Sequence, residues 1–215
     1  EVMARWFFMA TLTGRYTGSP EARFEQDMAL LRSANRAADF VRILDEQISA
    51  VLTHDYWEVT LPNELETAAA RNTAQFSYYA ALCLSEARVL YSKMKVSELL
   101  DPTSKAKKTA LERHHLFPRK YLQRIGVREK RLINQVANYA LVEWSDNIKI
   151  SDRAPSDYVP ELEKRFASDE LQQMYDWHGL PSNWYELDYE DFLKERRRRI
   201  ALIIKSGFER LVIGA

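Results

Sequence analysis

His114 and His115 stand side by side, Pro118 comes three residues after the second, and Asn138 and Asn147 follow nine apart (147 − 138 = 9). A neutral histidine can take a proton from water near pH 7, a role worth roughly 10²–10⁴-fold in rate. Phosphodiester hydrolysis needs such a base, charge stabilisation on the phosphorus oxygens, and help for the leaving 3′ oxygen. A single Mg²⁺ ion can supply the last two. On an extended strand successive side chains point to opposite faces. Adjacent histidines at a strand end therefore do different work only where the backbone bends after them, and Pro118 is placed to turn it. Glu112, two residues before His114, shares its strand face and could supply a carboxylate directly or through water.

The elements that must position these residues are short. Residues 111–116 and 139–144 read as two strands, 119–125 as a helical piece ended by Gly126, and Ser145 as the N-cap of a short helix carrying Asn147. Helical periodicity dominates elsewhere. Residues 2–16 read as a buried helix stopped by Thr17-Gly18-Ser19-Pro20, and 20–32 as a helix capped by Ser19 with Pro20 at its first position. Further helices are expected over 34–52 and 73–91, the second with Phe76, Tyr79, Ala80, Cys83, Leu84 and Ala87 inward. Residues 101–105 break the pattern as a polar loop or hinge, and after Pro160 the chain returns to helices, the longest over 189–211. The fold class expected is mainly α, a helical module with one small ββα insert.

Composition sets the outer limits. A chain of 215 residues can bury a sizeable core, and 46% hydrophobic with 29% charged residues is ordinary globular usage. No apolar run approaches eighteen residues, so no membrane span is expected. The apolar start contains Arg5 and lacks a small-residue cleavage site, unlike a signal peptide, and a start at Glu1 suggests a processed or truncated product. Cys83 is the sole cysteine, which excludes a disulfide framework and fits a cytoplasmic protein. The 31 basic and 31 acidic residues cancel, which weighs mildly against nucleic-acid binding. Their distribution is uneven: acids crowd 161–195, while bases cluster at 105–108, 119–131 and 196–199. A local patch can bind phosphates on a neutral protein.

The run from Glu112 through His114, His115 and Pro118 to Asn138 and Asn147 resembles the ββα-metal core of HNH nucleases. The spacing of the asparagines and the tail Ser151-Asp152-Arg153-Ala154-Pro155-Ser156 look like the HNH domain of RNA-guided CRISPR nucleases. The resemblance implies that His114 and Asn147 ligate a divalent metal, that His115 is the general base, and that Asn138 holds His115 in its working orientation. More widely, Arg5-Trp6-Phe7-Phe8, Gly14-Arg15-Tyr16 and residues 112–122 resemble the C-terminal region of GmrSD-type restriction endonucleases, which attack modified phage DNA. Those proteins carry an N-terminal nucleotide-dependent domain with a DGQQR-like motif, absent from this sequence. The resemblance thus implies a cytoplasmic DNA endonuclease or nickase, its partners modified phage DNA and that further domain. It also implies a helical scaffold over 1–105, the HNH core over 106–160, and helices packing on it over 161–215. A ligand pair without a carboxylate departs from the preference of Mg²⁺ for oxygen, so Mn²⁺, Ni²⁺ and Zn²⁺ stay open beside it. The rival expectation is a non-catalytic helical module that binds DNA or a partner and carries a degenerate HNH motif.

Other chemistry-bearing residues have plainer readings. Cys83 reads as a small core residue. His54 and His178 read as structural or surface residues, and Trp177 and Trp184 as loop packing rather than a platform for bases. Arg119 and Lys120, just after the base histidine, are the first candidates for phosphate contacts. Residues 197–199 fall outside the apolar stripe of the last helix. Arg196 falls inside it and needs a partner, either a buried acid or a phosphate at the metal site, which makes it a further DNA-binding candidate.

Overall fold

Backbone bonding decides where the long apolar runs stop being helical. The structure is a computed structural model that describes residues 1–67, 72–101 and 112–213. Helix α1 (Val2–Leu12) ends short of Tyr16 because the Thr13 hydroxyl donates back to the Met9 carbonyl at 2.9 Å and Gly14 turns with φ 59°. Pro20 then opens α2 (Pro20–Leu31), and α3 (Ala37–Val51) follows. A π-helical turn (Tyr56–Thr60) runs into α4 (Leu61–Glu64), before α5 (Thr73–Leu84) and α6 (Val96–Leu100). Helix α5 stops well before Tyr91. The Ser85 hydroxyl donates to the Ala81 carbonyl at 2.9 Å, Glu86 takes φ 53°, and the chain turns back through an Arg88–Lys95 bridge.

The face that α5 buries also differs from the expected stripe. Ala74, Gln75, Ser77, Tyr78, Ala81 and Leu82 point inward, while Phe76 is 53% exposed. Close approach is the reason. Helix α12 (Tyr189–Ile213) crosses α5 with Gly207 against Ala81, so near that a Cβ on the glycine would sit 2.5 Å from the Ala81 Cβ. Small residues choose this face, where residue size alone would have chosen Phe76. Cys83 is partly buried against the same core.

The middle of the chain is built from short pieces. Strand β1 (Glu112–His115) leads to α7 (Arg119–Arg124), α8 (Lys130–Ile133) and a 3-10 turn (Val136–Asn138). Strand β2 (Tyr139–Val142) and α9 (Trp144–Ile150) follow; Glu143, not Ser145, takes the N-cap position of α9. Helices α10 (Pro155–Glu163) and α11 (Ser168–His178) and a 3-10 turn (Trp184–Glu186) lead to α12. Strands β1 and β2 pair antiparallel with Glu112 opposite Val142, Arg113 opposite Leu141, His114 opposite Ala140 and His115 opposite Tyr139.

A two-stranded ribbon is marginal alone in water, and here two cores grip it. Leu141 packs into a cluster with Met9, Leu12, Ile48, Tyr78, Ile200 and Ile204. Ala140 and Val142, on the other face of β2, join Leu116, Phe117, Tyr158, Trp184 and Phe192. Helix α12 serves both, with Phe192 and Leu193 in the second cluster and Ile200 and Ile204 in the first. Leu90 and Tyr91, from the segment 1–105, belong with the strand core, as do Trp184 and Phe192 from 161–215. The basic cluster 105–108 and most of the polar loop 101–105 lie outside the described residues. Among the described residues no helix is long and apolar enough to cross a membrane.

Candidate active site

The alternation of β1 sends its two histidines into different surroundings. His114 is 5% exposed and sits edge-on to Tyr158, ring centroids 6.3 Å apart. Its Nδ1 lies 2.6 Å from Oδ1 of Asn147, carried on α9. Because that oxygen accepts, a neutral ring carries its proton on Nδ1, and His114 Nε2 is buried with no hydrogen-bond partner among the described residues. His115 is less buried. Tyr139, its cross-strand partner, lies against the ring with centroids 4.3 Å apart, and His115 Nε2 is 3.0 Å from Asn134 Oδ1.

Both histidines nevertheless open on one cleft of about 630 Å³, shared with Arg113, Pro118, Arg119, Lys120, Asn147 and Ser151 among others. The bend after β1 makes this possible, and Asn138 holds the bend. Asn138 is fully buried. Its Oδ1 accepts from the Phe117 amide at 2.9 Å, and its Nδ2 donates to the carbonyls of Phe117 (3.1 Å) and Ile133 (2.9 Å). Its own carbonyl takes the Leu116 amide at 2.8 Å. Asn138 thus clamps the backbone beyond His115, and the ring's direct partner is Asn134. Sequence reading missed Asn134 because nothing in its spacing sets it apart from an ordinary loop amide.

The electrostatics favour neutral rings beside a positive wall. Burial pulls His114 down to about 4, against the bond to Asn147, and the neighbouring His115 charge adds to the shift. His115 is also lowered, by burial first; the bond to Asn134 opposes this, while Arg119 and Arg113 reinforce it. Arg119 and Lys120 are exposed at the start of α7. The Arg113 guanidinium lies 5.8 Å from the Tyr139 ring centroid, a cation–π distance. Asp152 at the rim is tied to Arg124 at 3.1 Å.

A divalent cation held by this pair would need the two atoms to part beyond their 2.6 Å hydrogen bond and the ring proton to pass from Nδ1 to Nε2, leaving Nδ1 and the amide oxygen as donors. Water and phosphate oxygens would complete its shell. Glu112 gives its backbone to β1, and its side chain lies outside the described residues.

Arg196 requires a correction. It is 0% exposed, so no phosphate reaches it, and its partners are neither acid nor phosphate. Its guanidinium donates to three carbonyls: Ala137 at 2.6 Å, Tyr139 at 2.8 Å and His178 at 3.2 Å. It braces the segment that carries Asn138 and does not contact DNA. Arg197 pairs with Glu66 at 2.9 Å and Arg199 with Glu195 at 2.7 Å. His178 is fully buried with Nε2 2.8 Å from the Arg88 carbonyl, and His54 is exposed. Trp184 is packed among Phe117, Tyr158 and Phe192. The chain matches no protein-family profile, no curated protein and no solved structure.

Proposed function

We propose that the chain is a metal-dependent DNA endonuclease or nickase of HNH type, acting as the effector part of an anti-phage restriction system. The observation that carries this reading is the meeting of His114 Nδ1 and Asn147 Oδ1 at 2.6 Å on a cleft that also holds His115, Arg119 and Lys120. His114 and Asn147 would hold the cation, Mg²⁺ or a softer divalent ion. When bound, it supplies Lewis-acid stabilisation of the phosphorus oxygens and of the leaving 3′ oxygen. His115 takes the proton of the attacking water, as a ring kept neutral by burial can do. Asn138 fixes the turn from which His115 projects. Arg119 and Lys120 hold backbone phosphates, which positions DNA without reading its sequence. A nucleotide-dependent domain supplied from outside these residues would select modified DNA.

The test is conversion of supercoiled plasmid to open circles by the purified chain. Cleavage that requires Mg²⁺ or Mn²⁺ and vanishes in His115→Ala is the expected result. Plasmid binding with no cleavage under any of these ions would replace this reading with that of a helical DNA-binding module.

A further inference from the structure

A neutral imidazole carries one proton, and the nitrogen left bare decides where the ring can act as a base. His115 Nε2 lies 3.0 Å from Asn134 Oδ1, and the Tyr139 hydroxyl donates to that same oxygen at 3.2 Å. An amide oxygen accepts and does not donate. Two donors meeting on it put the ring proton on Nε2 and leave Nδ1 bare. Asn134 is itself well held. Its backbone N–H donates to the Lys130 carbonyl at 3.0 Å at the end of α8, and its neighbours are fixed from two sides. Asn138 holds the Ile133 carbonyl, and Arg197 donates to the Gln135 side chain at 2.8 Å. Tyr139 completes the arrangement by packing on the ring face from the paired strand.

We propose that Asn134 is a positioning residue that, with Tyr139, holds His115 as its Nε2–H tautomer, so that Nδ1 is the atom that takes a proton from water. The effect on rate rests on the nuclease reading; the tautomer does not. Asn134 is half-buried at a helix end, so substitutions there are compatible with folding. Asn134→Leu removes the acceptor while keeping the branched shape, and Asn134→Asp keeps an acceptor.

The experiment is long-range ¹H–¹⁵N correlation on the metal-free full chain at about pH 8, where an ordinary histidine is neutral, paired with plasmid nicking in Mg²⁺. Wild type and Asn134→Asp are expected to show the Nε2–H pattern for His115, and Asn134→Leu a mixture of tautomers. Nicking should fall roughly ten- to a hundredfold in Asn134→Leu, the usual size of an outer-shell effect, with plasmid affinity unchanged and much of the rate restored in Asn134→Asp. An Nδ1–H pattern in wild type overturns the inference, because it means the Asn134 amide faces the ring with its nitrogen. So does an unaltered Nε2–H pattern in Asn134→Leu, or a mixed pattern with an unaltered rate. The expected tautomers in a chain that cuts no DNA would support the positioning inference and remove the nuclease reading.

Discussion

The cleft beside β1 and the groove between α1, α2 and α3 make an instructive pair. The groove is the larger, about 710 Å³ against about 630 Å³, and is walled by Met3, Trp6, Phe7, Phe24 and Met28. Its one buried acid, Asp27, is already satisfied: Arg15 grips both carboxylate oxygens and the Tyr16 hydroxyl donates to one at 2.8 Å. The cleft holds two imidazoles kept neutral by burial, an amide oxygen bonded to one of them, and the exposed cations Arg119 and Lys120. Cavity size therefore does not locate chemistry in this molecule. The types of polar group that converge on a cavity do.

Substitutions can break this contrast, beginning with the largest effect. His115→Ala should lower nicking by roughly 10²–10⁴-fold, the usual worth of a general base, while the melting temperature and plasmid affinity stay near wild type. Equal rates in the two proteins would remove His115 from the mechanism. Arg196→Met comes next and acts on stability. It takes the guanidinium donors from the carbonyls of Ala137, Tyr139 and His178, at a cost of about 2–4 kcal/mol in urea unfolding. A neutral result would mean that relief of the buried charge offsets all three bonds.

Acid should destabilise the fold through His178. Burial holds this ring down to about 4, with the Arg196 charge adding to the shift and the bond to the Arg88 carbonyl opposing it. The unfolded chain takes the proton near its ordinary value of about 6.5, so between these values protons favour unfolding. Stability is full above about pH 6.5 and falls towards pH 4, by on the order of 3 kcal/mol for this group. His178→Gln keeps a donor for the carbonyl and should flatten that part of the pH profile; an unchanged slope would assign acid sensitivity elsewhere. Arg119→Ala should reduce the slope of log K against log salt by about one, with stability within about 0.5 kcal/mol of wild type. The smallest effect belongs to the groove. Phe24→Ser and Met28→Ser, both on exposed positions of α2, should leave nicking unaltered, and a loss of activity there would tie the two regions together.

Local patterns in the sequence located the short strands to within two residues and α12 at its first residue, because alternation and helical periodicity are carried by neighbours. The pairing of His114 with Asn147 came instead from the family resemblance, and the fold brings the two into contact across 33 residues. What escaped depends on approach between distant segments. The buried face of α5 follows from Gly207 against Ala81, the role of Asn134 from the return of β2 beside β1, and the partners of Arg196 from backbone carbonyls that no residue type announces. The resemblance implies that Asn138 holds the His115 ring, whereas its side chain bonds the Phe117 backbone and the Ile133 carbonyl, partners that no spacing in the sequence singles out.

The most direct test of the central claim is anomalous diffraction from crystals of the full chain grown with Mn²⁺. The account predicts one peak within about 2.0–2.3 Å of both His114 Nδ1 and Asn147 Oδ1, on the cleft side facing Arg119. The same two atoms still bonded to each other at saturating Mn²⁺, with no peak between them, would contradict it.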